Sequence, residues 1–458
     1  MQYRPDLALL TLGTEFYDTV DAAAFPRAIP RFLNRRWAER IGLGGLNEEQ
    51  LTDHFARFEP LPSNLKQPLA LRYHGHQFRV YNPDIGDGRG FTFAQVRDAD
   101  GRLLELGTKG SGQTPYSRHA DGRLTLKGGV REVLATEMLE ALGADTSKTF
   151  ALFETGEQLE RGDEPSPTRS SLLTRLSHGH IRIGTFQRLA FFGQVENLRT
   201  LVRYSLTELY DEQFSDDDAA NALRLFDLAA TATARLAAQY LAAGFVHGVL
   251  NSDNINITGE SFDYGPWRFT PYWDADFVAA YFDHAGLYSF GRQPEAIHWD
   301  LAQLAGCLSL ISETKSLSDL LSGWSDRFEA QFIGALLKRL GVAPVDADSD
   351  RKLTGHLLSA LETREATIDQ LFFDWRGGRD PGPERYASEA FRSLAKALDG
   401  RSRAPRHAYW SGSGPCSMHI EEVEAIWTAI AEDDDWQPFE DKVRAIREMG
   451  DAMLDDQV

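Results

Sequence analysis

The chain reads as an α+β protein, with a small sheet and one prominent helix first and a larger helical part after it. Three observations predict this. Strand-like runs and one amphipathic helix crowd between residues 91 and 186, Ala/Leu-rich helical periodicity dominates from 219 onward, and an Asp/Asn-rich turn follows the longest helical run directly.

Residues 1–60 mix aromatic and proline turns with short helical pieces, and read as an extension packed on the main body. From Tyr73 the character changes. YHGHQFRVYNPDIGDGRG ends in a glycine-rich loop, Gly86, Gly88 and Gly90. FTFAQV (91–96) is expected as a strand, DADG (98–101) as a tight turn, and RLLELGTK (102–109) as the return strand. After the loop 110–123, Val130, Val133, Leu134, Met138 and Leu142 recur near helical spacing, with Gly143 as the stop. Strands are expected at 149–154, 171–176 and 181–186, with a polar loop at 160–170. A long helix is expected at 219–244. Further helices are expected at about 297–311, 317–340, 351–372, 384–398, 420–431 and 437–453. No fixed-period repeat is visible. The order gives an N-terminal extension (1–60), a sheet-plus-helix N-lobe (61–190) and a mainly helical C-lobe (191–458). That is the order of a two-lobed, protein-kinase-like fold with its nucleotide cleft between the lobes.

Composition limits the function. Hydrophobic residues make up 42% of the 458, enough for a large core and against global disorder. Lys and Arg number 48 against 68 Asp and Glu, a net charge of −20, which argues against nonspecific nucleic-acid binding and docking on anionic membranes. Cys307 and Cys416 are the only cysteines, so a disulfide scaffold or structural zinc site is not expected. No apolar run approaches a membrane span, and MQYRPDLALL has no signal or transit pattern. The expected location is the cytoplasm.

The chemistry concentrates in HGVLNSDN (247–254) and DYG (263–265). Hard divalent cations take oxygen ligands and share them with phosphates. Asn254 and Asp263 supply two such oxygens, and Asp253 offers a spare carboxylate to accept a proton from an incoming hydroxyl. Val249 stands where a protein kinase would carry its catalytic Asp, so a strict kinase pattern is not met. Lys109 ends a strand, and Glu132 on the following helix is its expected counter-charge, with Glu137 the competing partner. The GDGRG loop offers exposed backbone N–H groups and Arg89. Arg175 and Arg182 can grip phosphate two-pronged. His74, His76, His178 and His180 have no supporting ligand cluster and are expected to be hydrogen-bonded structural residues.

GHQF (75–78), NPDIGDGRG (82–90), TPYSR (114–118), DGR (121–123), HIRIGTF (180–186), HGVLNSDN, DYGPW (263–267) and YSFGRQP (288–294) together resemble the selenoprotein O family of kinase-like protein adenylyltransferases. The resemblance covers about residues 60–310 and thins toward the C-terminus. It implies ATP bound in reverse, so that AMP passes to a Ser, Thr or Tyr hydroxyl of a protein, this protein itself included among the candidates, and pyrophosphate leaves. Carried over, Gly86, Gly88, Arg89, Lys109, Asp121, Gly122, Arg175, Arg182 and Asp263 bind ATP. Glu132 holds Lys109, Asp253 is the proton acceptor, and Asn254 and Asp263 hold magnesium or manganese. Arg79, Gln113 and Pro271 depart from the family pattern. A redox pair seen in some relatives is not expected, since Ala279 and the terminal DDQV lack both cysteines. The rival readings are transfer of the γ-phosphate to a small molecule or protein, and a silent nucleotide-binding scaffold.

Overall fold

The computed structural model describes residues 2–162 and 164–455. The polar loop expected at 160–170 and the terminal DDQV therefore fall partly outside the described residues. The fold is mixed α+β, built on one large antiparallel sheet. Its strands run, neighbour to neighbour, Tyr17–Thr19, Leu69–Leu71, Thr92–Arg97, Leu103–Lys109, Thr168–Ser177, Lys148–Leu159 and Ile29–Leu33. Pro5–Asp6 pairs with Thr92–Arg97, and Leu124–Thr125 with Thr168–Ser177. The expected turn at 98–101 closes on Asp98. Its Oδ1 accepts the Asp100 and Arg102 N–H groups at 3.0 Å each, and its Oδ2 accepts from the Arg102 guanidinium at 2.7 Å.

All of Leu103–Lys109 is buried, so the sheet must be covered on both faces. Side chains alternate across a strand, and two apolar sets meet the need. Leu103, Leu152 and Leu173 join the core under the helix Leu126–Ala141. Leu104, Leu106, Phe150 and Leu172 join a second core with Trp37, Leu51 and Phe55. Those last three come from the helices Arg35–Arg40 and Glu48–Phe55. The first 60 residues thus give the sheet three strands and two helices and seal its second face. Strands of two to five residues carry too little alternation to be seen in sequence.

The helix Leu126–Ala141 starts where the Thr125 hydroxyl accepts the Gly128 N–H at 3.1 Å. It sits close to the sheet because Gly129 has no side chain. A Cβ there would stand 2.5 Å from Leu152 Cδ1. Glu132, one turn on, shares that face. Further round, Glu137 accepts two bonds from Arg447, at 2.7 and 2.9 Å, which ties this helix to the terminal helix Gln437–Asp455.

In the helical part, Asp217 caps the helix Asp218–Ala243, and Gly244 ends it in the left-handed conformation with φ 71°. The spans expected at 317–340 and 351–372 are each two helices. They are Thr314–Ser322 and Trp324–Leu340, joined at Gly323, and Ala347–Glu362 and Ile368–Asp374, the last restarted by a Thr367 cap. The strand expected at 181–186 is also corrected. Arg182 makes one bridge to Asn256, and a helix, Ile183–Phe191, begins at once. Ile183, Phe186 and Leu189 are buried at near-helical spacing, which a six-residue window does not separate from strand alternation.

Gly184 fixes that helix against the site, since a Cβ there would lie 2.1 Å from the His74 carbonyl oxygen. Gly184→Ala is expected to cost about 1–3 kcal/mol of stability through forced backbone movement, read as a lower urea midpoint at unchanged slope.

Candidate active site

Lys109 and Arg175 reach one cavity because of strand register. Leu173 pairs with Lys109 and Arg175 with Gly107. Arg175, two residues past Leu173, therefore shares the face of Lys109. Gly107 leaves the space that His180 fills, for a Cβ there would lie 2.6 Å from the imidazole. His180 Nδ1 meets Glu105 Oε2 at 2.8 Å, and its Nε2 accepts from Arg175 Nε at 3.2 Å. Burial, with the Arg175 and Arg182 charges, depresses its pKa despite Glu105. His180 thus stays neutral and steers the Arg175 guanidinium.

Lys109 Nζ contacts Glu132 Oε2 at 2.5 Å and Asp263 Oδ1 at 2.8 Å. Arg175 Nη1 lies 3.5 Å from Asp263 Oδ1 and 3.8 Å from Glu132 Oε1. Glu132, not Glu137, is therefore the partner of Lys109. Asp263 sits in a turn at φ 63°, tied to the preceding loop by His247 Nε2, 3.0 Å from the Phe262 carbonyl. Burial alone would raise the Asp263 pKa. The charges of Lys109, Arg175 and Arg89 together outweigh it and hold the carboxyl well below its usual range.

Arg182 enters from the other side. Ile183 N donates to Ile255 O at 3.0 Å and Ile257 N to Ile181 O at 2.8 Å, so this short stretch lies beside the loop that carries Asp253. The Arg182 guanidinium lies 4.1 Å from the Tyr73 ring centroid and 5.1 Å from that of Phe262. Its Nη1 meets Asp87 Oδ1 at 3.0 Å, while Asp87 Oδ2 accepts the Leu71 N–H at 3.0 Å. Asp87, inside GDGRG, lines the same cavity and is a residue that the sequence pattern did not single out. A buried arginine demands a carboxylate, and the nearest motif held one.

The glycine-rich loop packs under residues 114–117. A Cβ on Gly86 would enter the Tyr116 ring, and one on Gly90 would stand 2.0 Å from the Thr108 carbonyl oxygen. Ser117 Oγ and Thr114 Oγ1 donate to the carbonyls of Gly88 and Asp87, at 2.5 Å each. Together these parts enclose a cavity of about 360 Å³. Gly86, Gly88, Arg89, Lys109, Arg175, Arg182, Asp253, Asn254 and Asp263 all line it, with Tyr73, Gln77, Tyr116 and Asn251. Asp121 and Gly122 do not. Asp121 bonds Arg161 at 2.9 Å, and Gly122 accepts from Gly112 N at 3.2 Å, in the stretch just after the lining residues 116–118 and 120.

Asp253 differs from Asp263. It is buried, its Oδ1 has no hydrogen-bond partner among the described residues, and it lies against Gly75, where a Cβ would stand 2.8 Å from Oδ1. Burial pushes its pKa up to about 6, against the pull of Arg182. Asn254 Nδ2 donates to Val249 O at 2.9 Å, which leaves the amide oxygen as its donor atom to a ligand. Among the described residues no three His, Cys, Asp or Glu side chains gather as a metal site. Asn254 and Asp263 still fit magnesium or manganese, which need few protein oxygens when phosphates supply others.

A sequence model described as protein adenylyltransferase SelO matches residues 1–447. The chain belongs to the SelO family. It is 41% identical to the protein nucleotidyltransferase YdiU of Synechocystis sp. (strain ATCC 27184 / PCC 6803 / Kazusa), over 98% of each chain. It is also 41% identical to the protein of that name in Gloeobacter violaceus (strain ATCC 29082 / PCC 7421), over 98% of this chain and 95% of the relative. With the relative in Methylorubrum extorquens (strain PA1) identity is 36%, over 82% of this chain and 79% of the relative. The SelO match begins at residue 1, so it includes the strands and helices that seal the second face of the sheet. No helix among the described residues is long and apolar enough to cross a membrane.

Asp87→Ala removes both the partner of Arg182 and the acceptor for Leu71 N–H. A loss of about 3 kcal/mol is expected in urea unfolding, because a buried guanidinium is left uncompensated.

Proposed function

We propose that this chain transfers AMP from ATP to Ser, Thr or Tyr hydroxyls of proteins and releases pyrophosphate, in a two-lobed, kinase-like arrangement and in the cytoplasm. The observation that carries the reading is the meeting, in one cavity, of four cations (Arg89, Lys109, Arg175 and Arg182) with a buried carboxylate, Asp253, whose Oδ1 has no partner among the described residues.

The cations neutralise the polyphosphate, and the open glycine-rich backbone lets it approach closely. Lys109 is held by Glu132 and Arg175 by His180, so neither must be ordered when ATP arrives. Asn254 and Asp263 would hold magnesium or manganese, which when bound supplies charge neutralisation at the phosphate oxygens. Asp253 takes the proton of the acceptor hydroxyl. The hydroxyl oxygen bonds to the α-phosphorus, the bond to the bridging α–β oxygen breaks, and pyrophosphate leaves with that electron pair, its charge met by the lysine and arginines. Asp263, at low pKa between two cations, remains ionised. Asp253, raised by burial, is the carboxylate tuned to take and release a proton near neutrality.

With ATP labelled at the α-phosphate, acceptor protein should become labelled, and γ-label should not transfer. Asp253→Ala should keep ATP affinity and lose about a hundredfold or more in transfer rate. Transfer of γ-label, or full activity of Asp253→Ala, would refute the reading.

The pH dependence follows from the same carboxyl. Burial favours its protonated form up to a pH of about 6, and only the ionised form accepts a proton. The kcat/KM for transfer should therefore climb as pH rises through that value and then level. A flat profile there would remove Asp253 as the base.

A further inference from the structure

The hairpin Gly75–Gln77/Val80–Asn82 packs on the loop that carries Asp253 and is bonded to it twice through its backbone. His76 N donates to Ser252 Oγ at 2.7 Å and Phe78 N to Asn251 Oδ1 at 3.0 Å. Ser252 Oγ in turn donates to Gln187 Oε1 at 2.6 Å, on the helix Ile183–Phe191. Side chains alternate along a strand, so Gly75 and Gln77 share a face. At Gly75 that face meets the Asp253 carboxyl, and at Gln77 it lines the cavity together with Asp253.

The polarity of the Gln77 amide is fixed from the backbone. The Asp84 N–H can only donate. It meets the Asn82 side chain at 2.9 Å, so the Asn82 atom there is the carbonyl oxygen, Oδ1. Asn82 Nδ2 is left as a donor, and it donates to Gln77 Oε1 at 3.0 Å. With its oxygen taken, Gln77 has its NH2 group to offer to the cavity side. That group serves Asp253. Burial raises the proton affinity of Asp253, and a hydrogen bond from the Gln77 side chain is among the interactions that oppose it. Asp253 Oδ1 has no partner among the described residues and stays open to an incoming hydroxyl.

Resting on the reading of Asp253 as the base, we infer that Gln77 is a positioning residue for the reaction, held by Asn82 and the Asp84 N–H so that its amide donor sets the orientation of the Asp253 carboxylate toward the acceptor hydroxyl. The terminal torsion of an aspartate is broad and roughly two-fold, so a buried carboxylate with few partners needs a fixed donor to hold one orientation. A two-amide relay that begins on a backbone N–H supplies one whose direction cannot reverse. The relay starts at the residue before Ile85 and Gly86, which line the same cavity. The glycine-rich loop and the base are thus joined by one chain of bonds.

The test uses the full chain, ATP labelled at the α-phosphate and dephosphorylated casein as acceptor, with label counted on the casein and on the chain itself. Gln77→Leu should lower kcat by about tenfold or more at unchanged KM for ATP, because the base is misaligned while the nucleotide contacts remain. Asn82→Asp still accepts the Asp84 N–H but cannot donate to Gln77. The Gln77 NH2 then turns to the new carboxylate and its oxygen faces Asp253, so kcat should fall as far as in Gln77→Leu. Asn82→Ala leaves Gln77 free to donate to Asp253 and should cost less. A merely structural Asn82 predicts the opposite order, since alanine also gives up the bond from Asp84. Gln77→Leu combined with Asn82→Asp should be no slower than Gln77→Leu alone. Wild-type kcat in Gln77→Leu, a larger loss in Asn82→Ala than in Asn82→Asp, or losses that multiply in the double variant would overturn the assignment and leave the reaction standing. Should Gln77→Leu melt below wild type, the order of the two Asn82 variants decides. No α-label transferred by wild type would overturn the reaction and the inference with it.

Discussion

The structure turns on the burial of charge around Asp263. Lys109, Glu132 and Arg175 are each almost wholly enclosed, and an isolated charge in such a place costs several kcal/mol. Each is tolerable only because the others are there. Lys109 comes from one strand, Arg175 from its neighbour, Glu132 from the helix across the sheet, and Asp263 from a turn in the helical part. The cluster can form only when these elements have converged, so the charge requirement selects the fold. Gly107 and Gly129 make room for the convergence, and Arg447 fastens the helix that carries Glu132.

A strongly acidic chain thereby keeps a local concentration of cations. Apart from Asp253, the carboxylates near them are not surplus negative charge, because each one fixes a cation in place. Glu132 and Asp263 hold Lys109, Asp87 holds Arg182, and Glu105 acts on Arg175 through His180. Arg89 lines the same cavity and adds its charge to those acting on Asp263. Fixed cations in a partly enclosed site are worth more toward a polyphosphate than the same charges in water, because little reorganisation is needed when it binds.

Two aspartates ten residues apart receive opposite treatment. Asp263 gains cations and loses its affinity for a proton, while Asp253 loses solvent without an ion pair and gains proton affinity. The same hairpin and helix that enclose Asp253 carry aromatic rings out to the surface. One bonded unit of hairpin, helix and loop therefore fixes the surroundings of that carboxylate.

Much of this was legible in the residues. The hairpin 92–109, the helix with Glu132 and the long helix ending at Gly244 each carry a local signal: alternation, helical spacing or a capping glycine. HGVLNSDN and the DYG turn supply Asp253, Asn254 and Asp263, which all line the cavity. What the sequence did not reveal is contact at long range. It left Glu132 and Glu137 as rivals for Lys109, and only the approach of Arg447 to Glu137 and of the sheet to Glu132 decided between them. It did not show Asp87 as the partner of Arg182, or the role of His180 in placing Arg175. Residues 181–186 suggest a strand, because six residues of mixed apolar spacing suit either form until Gly184 packs on His74. The sequence by itself determined which side chains can carry charge, metal and proton, since that is fixed by composition and local spacing. The tertiary structure alone decided their ionisation and their partners, because both depend on burial and on groups brought from up to 310 residues away.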